Sequence, residues 1–326
     1  MNTKFDVYGM GNALVDVQFQ VCEQALHDLD LDKGGMRLVD TAQQNILLDY
    51  CRHLSAHRAS GGSAANSMIA LAQLGGRAAY GCLVGDDELG RFYFDEMQSL
   101  GVHLHTPPVS GQPTGTCIIL ITPDAERTMN TALGASGVFA VEHVTEDALK
   151  QATWLYLEGY LFSTPSGQAA ARRALELARK HRVKVSLTCS DRFIVEACGD
   201  ALRAAVAECD LVFANQQEAG AYVGQERAED IFPRFRDSAP NVVMTRGDQG
   251  AWGTFGGTTF QVPAVPVQAL DATGAGDMFA GAFLYAITHS YTAEDAARLA
   301  CRLSSKVVSQ LGPRLHGDVT ALLRDG

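Results

Sequence analysis

The chain has 326 residues, 47% of them hydrophobic and 19% charged, the make-up of a soluble protein with one large core and room for a smaller appendage. A formal net charge of -11 with no basic run excludes a nucleic-acid binder, which needs stripes of Lys and Arg. No apolar run reaches membrane-spanning length, and eight scattered cysteines without a Cys-x-x-Cys pair suit a reduced, cytoplasmic protein.

Met1 to Val7 lacks the apolar stretch of a secretion signal. Phe5 to Gly11 predicts a strand running into glycines. Gly9-x-Gly11 begins a dinucleotide fingerprint, but Leu14 holds the third glycine position and no helix starts there, which speaks against a nicotinamide-dependent oxidoreductase. Asn12 and Asp16 instead follow the strand end, where open α/β sheets gather ligands, and both accept bonds from hydroxyls. A turn Asn and a surface Asp fit the same spacing. Residues 17–50 alternate apolar runs with turns, and 32–39 reads as a turn and short strand outside any βαβ rhythm. Gly61-Gly62 leads into a helix over 64–74, closed by Gly75-Gly76. The glycine pair allows close approach of a ligand, and Asn66 lies one turn in; a plain glycine cap is the alternative.

A strand over 78–84, a helix over 89–100 and a strong strand over 112–122 follow. Residues 17–50 and 103–131 read as a small β lid, and 1–16, 51–102 and 132–326 as the large domain. Arg127, in the second lid segment, suits an anion clamp or a surface ion pair. From Trp154 the pattern is βαβ: strands 154–157, 183–187 and 211–214, with helices 167–181 and 193–209. Glu158 and Tyr160, at the first strand end, are placed to face a ligand, although a core or rim Tyr explains the second. Asn215 and Glu218 open a helix as cap and first-turn acid. A buried strand from Val242 ends in a loop with Thr245, Arg246, Gly247 and Gly250, residues suited to phosphates. There is no Gly-x-x-x-x-Gly-Lys-Ser/Thr, so this is no P-loop.

A β-prone segment, 260–267, precedes Asp271-Ala272-Thr273-Gly274-Ala275-Gly276-Asp277 and an apolar helix from Met278. The small residues free the N–H groups of Gly274, Ala275 and Gly276 at a helix N-terminus, which attracts anions, and Asp277 stands beside that hole as a base. Thr292 and Asp295 cap a last helix that Gly312-Pro313 stops.

Asp-x-x-Gly-Ala-Gly-Asp, followed by Ala280-Gly281-Ala282, resembles the signature of the ribokinase, or pfkB-type, carbohydrate kinase family, with Ala272 where that family has Thr or Ser. Gly9-Met10-Gly11-Asn12, Pro113-Thr114-Gly115-Thr116-Cys117 and Glu126-Arg127-Thr128 resemble its adenosine kinase branch. The resemblance implies a ribokinase-like three-layer α/β fold, a doubly wound, mainly parallel sheet with a small β-sheet lid. It implies a kinase for the 5′-hydroxyl of a purine nucleoside such as adenosine, with ATP and Mg²⁺ as cofactors. Asn12, Asp16, Gly61, Gly62 and Asn66 would then hold the ribose, with Glu158 and Tyr160 facing the acceptor. Asp277 would be the base, and residues 274–276 with Arg127 would stabilise the phosphoryl group. Asn215 and Glu218 would position Mg²⁺, Thr245 to Gly250 the phosphates, Ala300 and Ser304 the adenine, and Asp271 with Thr273 a K⁺ ion. A sugar acceptor and a non-catalytic nucleoside-binding protein stay open, as do monomer and homodimer.

Overall fold

The computed structural model describes residues 4–124 and 126–323, the side chain of Thr41 excepted. Met1 to Thr3 of the N-terminal reading, Ala125 of the expected lid and the last three residues of the expected large domain lie outside the described residues. The strands are β1 (Phe5–Met10), β2 (Leu14–Gln20), β3 (Met36–Leu38), β4 (His57–Gly61), β5 (Ala78–Gly81), β6 (Val102–Leu104), β7 (Gly115–Ile121), β8 (Arg127–Ala132), β9 (Ala152–Glu158), β10 (Lys184–Thr188), β11 (Leu211–Asn215), β12 (Val242–Thr245), β13 (Ala251–Phe255) and β14 (Thr258–Val262).

Nine of these form one sheet in the order β14-β13-β12-β11-β10-β9-β1-β5-β6. Neighbours from β12 to β6 are parallel, and β13 and β14 add an antiparallel edge. Alternate residues feed two separate cores. Trp154, Tyr156, Leu211 and Phe213 enter one, and Leu155, Leu157, Val212 and Ala214 the other. Strands buried on both faces need helices on both. One layer holds Ser63–Gln73 (the glycine-loop helix), Ala275–Thr288 (the motif helix) and Ala293–Val308 (the C-terminal helix). The other holds Pro165–His181, Gly199–Val206, Gln216–Val223 and Ala228–Arg236. Strand order runs outward in both directions from β1, so the ligand crevice of such sheets falls at the carboxyl end of β1 and β9.

The remaining strands form a five-stranded sheet, β3-β8-β7-β2-β4. Val15, Val17 and Phe19 pack with Leu26, Leu47 and Cys51, so the chain's own helices Glu23–Asp28 and Thr41–Cys51 cover one face. Asp16, Gln18 and Gln20 alternate onto the more open face.

Three expectations change. β4 pairs with β2 in the small sheet, and β6 pairs with β5 in the large one. The β5-helix-β6 crossover completes a parallel unit that pattern reading missed because β6 has only three residues. The helix expected over 193–209 is two, Arg192–Ala197 and Gly199–Val206, broken at Cys198-Gly199. The strand expected over 260–267 stops at Val262, because Pro263 brings no N–H to a ladder.

Candidate active site

Asp277 is the third residue of the motif helix, whose N-cap Gly274 has φ 74°. A Cβ at position 274 would stand 2.5 Å from the Pro313 carbonyl, so only glycine fits. The first N–H groups of a helix have no intrahelical acceptor. Ala275 N–H, however, turns back to the Ala272 carbonyl at 3.3 Å, which corrects the expectation of three free amides. Gly276 has open space where a Cβ would be.

Ser63 Oγ donates to Asp277 Oδ1 at 2.6 Å, and Asn66 Nδ2 donates to Oδ2 at 3.1 Å. Gly281 allows this approach. A Cβ there would strike the Ser67 carbonyl and Ala70, so the motif helix and the glycine-loop helix lie closer than side chains would permit. Burial lifts Asp277 to about 6, against the bonds from Ser63 and Asn66 and the charge of Arg314. A carboxyl poised near neutrality at a helix N-terminus is equipped to take a proton.

Asp16 backs onto β4, where a Cβ on Gly61 would stand 2.6 Å from Asp16 Oδ1. Gly62 has φ 107°, and a side chain there would strike the Asn12 carbonyl. Burial lifts Asp16 to about 6; Asp277 and Glu96 add to this, and Arg127 and Arg314 oppose it. The structure therefore gathers Asn12, Asp16, Gly61, Gly62 and Asn66 around Asp277, with Ser63 and Arg314, which sequence reasoning missed. Ser63 was visible beside the glycine pair, and Arg314 just beyond the Gly312-Pro313 helix stop.

Glu158 is a correction. It is 0% exposed, and its two oxygens accept from the backbone amides of Asn12 at 2.7 Å and Ala64 at 2.8 Å. It therefore ties the β1 end to the glycine-loop helix instead of facing an acceptor. Burial lifts it to about 7, against those two bonds. Tyr160 lies just past β9, its hydroxyl 3.5 Å from Asp191 Oδ2. Burial raises its phenol, as do the charges of Asp191, Glu158, Asp277 and Glu218, which places it among the acids of the crevice.

Arg127 reaches Asp271 Oδ2 at 2.8 Å and is only 9% exposed, while its Nε and Nη2 are buried without a partner. Asp271 also accepts from the amides of Thr273 and Gly312, each at 2.9 Å. Burial works against the Asp271 charge, but Thr273, Gly312 and Arg127 more than offset it and hold the group below its ordinary value. The Asp271 carboxylate expected to help hold K⁺ thus has a guanidinium and two amides as its partners.

A cavity of about 600 Å³ opens on the far side of the motif, lined by Thr245, Gly247, Gly250, Gly276 and Ser304. The 263–267 loop, released by the early end of β14, forms part of its wall. Two expected members are elsewhere. Arg246 stacks 3.8 Å over the Trp252 ring and bonds Gln216 and Gln249, and Ala300 is fully buried in the core. Ser304 also donates to the Ala275 carbonyl at 2.9 Å. Asn215 and Glu218 satisfy each other in a capping box, with Asn215 Nδ2 2.6 Å from Glu218 Oε1. Burial lifts Glu218 to about 7 against the Asn215 amide bond, with the charges of Asp191 and Asp277 adding. Among the described residues no three His, Cys, Asp or Glu side chains cluster as direct metal ligands. That suits at most a Mg²⁺ held through its water shell at Glu218.

A buried carboxyl at a helix end, with Asp16 and the Gly61-Gly62 main chain on one side and the cavity on the other, is an arrangement that suits a phosphotransferase with an alcohol acceptor. Residues 50–318 match the pfkB family carbohydrate kinases, and the chain belongs to that family. It is similar to the structure of adenosine kinase from Sinorhizobium meliloti, 34% identical over 98% of this chain and 99% of that one, TM-score 0.90. It is equally similar to a probable sugar kinase from Rhizobium etli CFN 42, 34% identical over 99% and 98%, TM-score 0.91. Adenosine kinase 1 of Arabidopsis thaliana is 25% identical over 330 residues, 93% of this chain and 94% of that protein.

Proposed function

We propose that this kinase transfers the terminal phosphoryl group of ATP, with Mg²⁺, to the 5′-hydroxyl of a purine nucleoside, adenosine foremost. The observation that carries the phosphotransfer is Asp277, held by Ser63 and Asn66 at the mouth of the motif helix, between the Asp16 recess and the cavity. Asp16 and the main chain at Gly61-Gly62 offer acceptors and close approach for vicinal hydroxyls. Asp277 takes the hydroxyl proton. The Gly274 and Gly276 amides and the unpaired nitrogens of Arg127 are donors for an anion beside it. The orphaned guanidinium nitrogens and the open space over Gly276 fit a polyphosphate. ATP and Mg²⁺, when bound, supply the transferable group and neutralise its charge. Glu218 would hold the ion through water, and Thr245, Gly247 and Gly250 border the space for the nucleotide. The five-stranded sheet, with Asp16 and Arg127 on it, would act as the lid that keeps water from the phosphoryl group.

The nucleoside is favoured by the adenosine kinases among the relatives and by two aromatic side chains near the crevice, Tyr160 and the 59% exposed Phe193. Phe193 N–H donates to Asp191, the residue that Tyr160 reaches. A free sugar is the second reading, supported by the equally similar probable sugar kinase. The test is ATP consumption against adenosine, inosine, ribose and fructose. AMP formation from adenosine at a kcat/KM at least about 10²-fold above either sugar is expected, the margin a site built for a base gives. A faster sugar overturns the nucleoside reading and leaves the kinase.

A further inference from the structure

Arg314, like Ser63, has no counterpart in the sequence reading, and it lies the farthest along the chain from the groups it meets. Its side chain is 12% exposed, and its three nitrogens reach three elements. Nη2 donates to Ser60 Oγ at 3.1 Å, Nη1 lies 3.8 Å from Glu96 Oε2, and Nε donates to Asn66 Oδ1 at 3.4 Å. Glu96 in turn accepts from the Ser60 amide, so the anchor is closed on itself. An arginine only donates. Asn66 must therefore turn its carbonyl oxygen toward Arg314, which leaves its NH₂ for Asp277 Oδ2 at 3.1 Å. An ionised Asp277 only accepts, so it draws the NH₂ end, and Arg314 holds the opposite, carbonyl end, which fixes the amide plane from both sides.

We propose that Arg314 is a positioning residue for the base: through Asn66 it fixes a donor on Asp277, and it holds a positive charge beside the acceptor recess. The proposal rests on Asp277 acting as the base. Asp277 is faced by Ser63 and Asn66 from the glycine-loop helix, by Tyr156, Glu158 and Tyr160 from the end of β9, by Asp16 from β2 and by Glu218 across the crevice. The titratable groups in that set add negative charge when ionised, and Arg314 is the cation that works against them at Asp277. Arg314 also faces Asp16. Its effect on the base is therefore read in kcat at saturating acceptor, where the recess is filled, and not in KM.

The experiment compares kcat against pH at saturating adenosine and Mg²⁺-ATP for wild type, Arg314→Gln, Arg314→Lys and Asp277→Asn. Affinity for a non-hydrolysable ATP analogue serves as the check on folding. Arg314→Gln should move the acidic limb of kcat upward by about 1 pH unit, the size of a lost opposite charge nearby. Arg314→Lys keeps the charge but not the two-sided fork, so its limb should stay while kcat drops about 10-fold from a misaimed Asn66. An unmoved kcat limb in Arg314→Gln, with only KM changed, overturns the proposal. Should that variant fail the folding check, a wild-type kcat in Arg314→Lys overturns it. Near wild-type turnover in Asp277→Asn would instead remove the base itself, and the relay with it.

Discussion

Asp277 holds its proton up to about pH 6, and that value ties one carboxyl to a measurable limb. A base must be empty to accept, so kcat/KM should fall tenfold per pH unit below about 6 as Asp277 fills. Asp277→Asn should keep the fold and lower kcat by roughly 10²–10⁴-fold, the usual size of a general-base contribution. Asp16 also sits at about 6 and is electrostatically linked to Asp277, so the limb of kcat/KM belongs to the pair. The Asn variant separates them. A limb that survives in its residual kcat/KM reports Asp16, and one that disappears reports Asp277. Turnover near the wild-type rate would show that the proton leaves by another route.

Element packing decides which glycines of the motif matter, and in different ways. Gly274 has positive φ and touches Pro313, so Gly274→Ala sets the loop against the segment that carries Arg314. Gly276 has ordinary helical backbone and free space around a Cβ, so Gly276→Ala fits and gains up to about 1 kcal/mol of helix propensity. Its methyl would enter the cavity beside the amides. The expectation is that Gly274→Ala lowers Tm and activity together, while Gly276→Ala keeps or raises Tm and loses affinity for the nucleotide. Equal Tm losses in both would mean that the loop, and not the space in front of it, is what position 276 serves. The contrast was hidden in the sequence, where both are glycines of one signature. What was legible was local. Apolar runs marked most strands of the large sheet but only β3 and β7 of the small one, the Thr292 cap gave the last helix, and the motif gave its N-terminus. What was not legible depended on contacts between distant elements. Ser63 meets Asp277 across 214 residues, Arg314 meets Asn66 across 248, and Glu158 is fully occupied by amides from two other segments. Arg246 read as a phosphate ligand because nothing local reveals that Trp252, on the antiparallel neighbour strand, takes its guanidinium.

At the scale of the whole molecule, the buried acids of the site bear on how the stability of the fold changes with pH. Asp16, Glu158, Glu218 and Asp277 sit at about 6, 7, 7 and 6 in the folded chain, against ordinary values of 3.8 for Asp and 4.5 for Glu. A carboxyl with a raised folded value binds its proton more readily folded than unfolded. Folding is therefore favoured as pH falls from about 7, until the unfolded chain takes up the same protons near 4.5 and below. Asp6, Asp87 and Asp271 run the other way: all are held below 3.8, and their stabilisation is lost as they protonate at still lower pH. The net charge of -11 adds to the first trend, because acid relieves self-repulsion. The most stable window should thus lie between about 4.5 and 6, below the range in which Asp277, the proposed base, is ionised. Scanning calorimetry of the ligand-free protein at about pH 5.5 and about pH 8 should show the higher Tm at the acid value, by roughly 3–6 °C. Binding should close the gap, because cations and hydroxyls brought to the acids compensate the charges that burial penalises. A Tm that is flat or higher at the alkaline value would mean that the four acids carry no such penalty, and a proton acceptor tuned by burial at Asp277 would go with it.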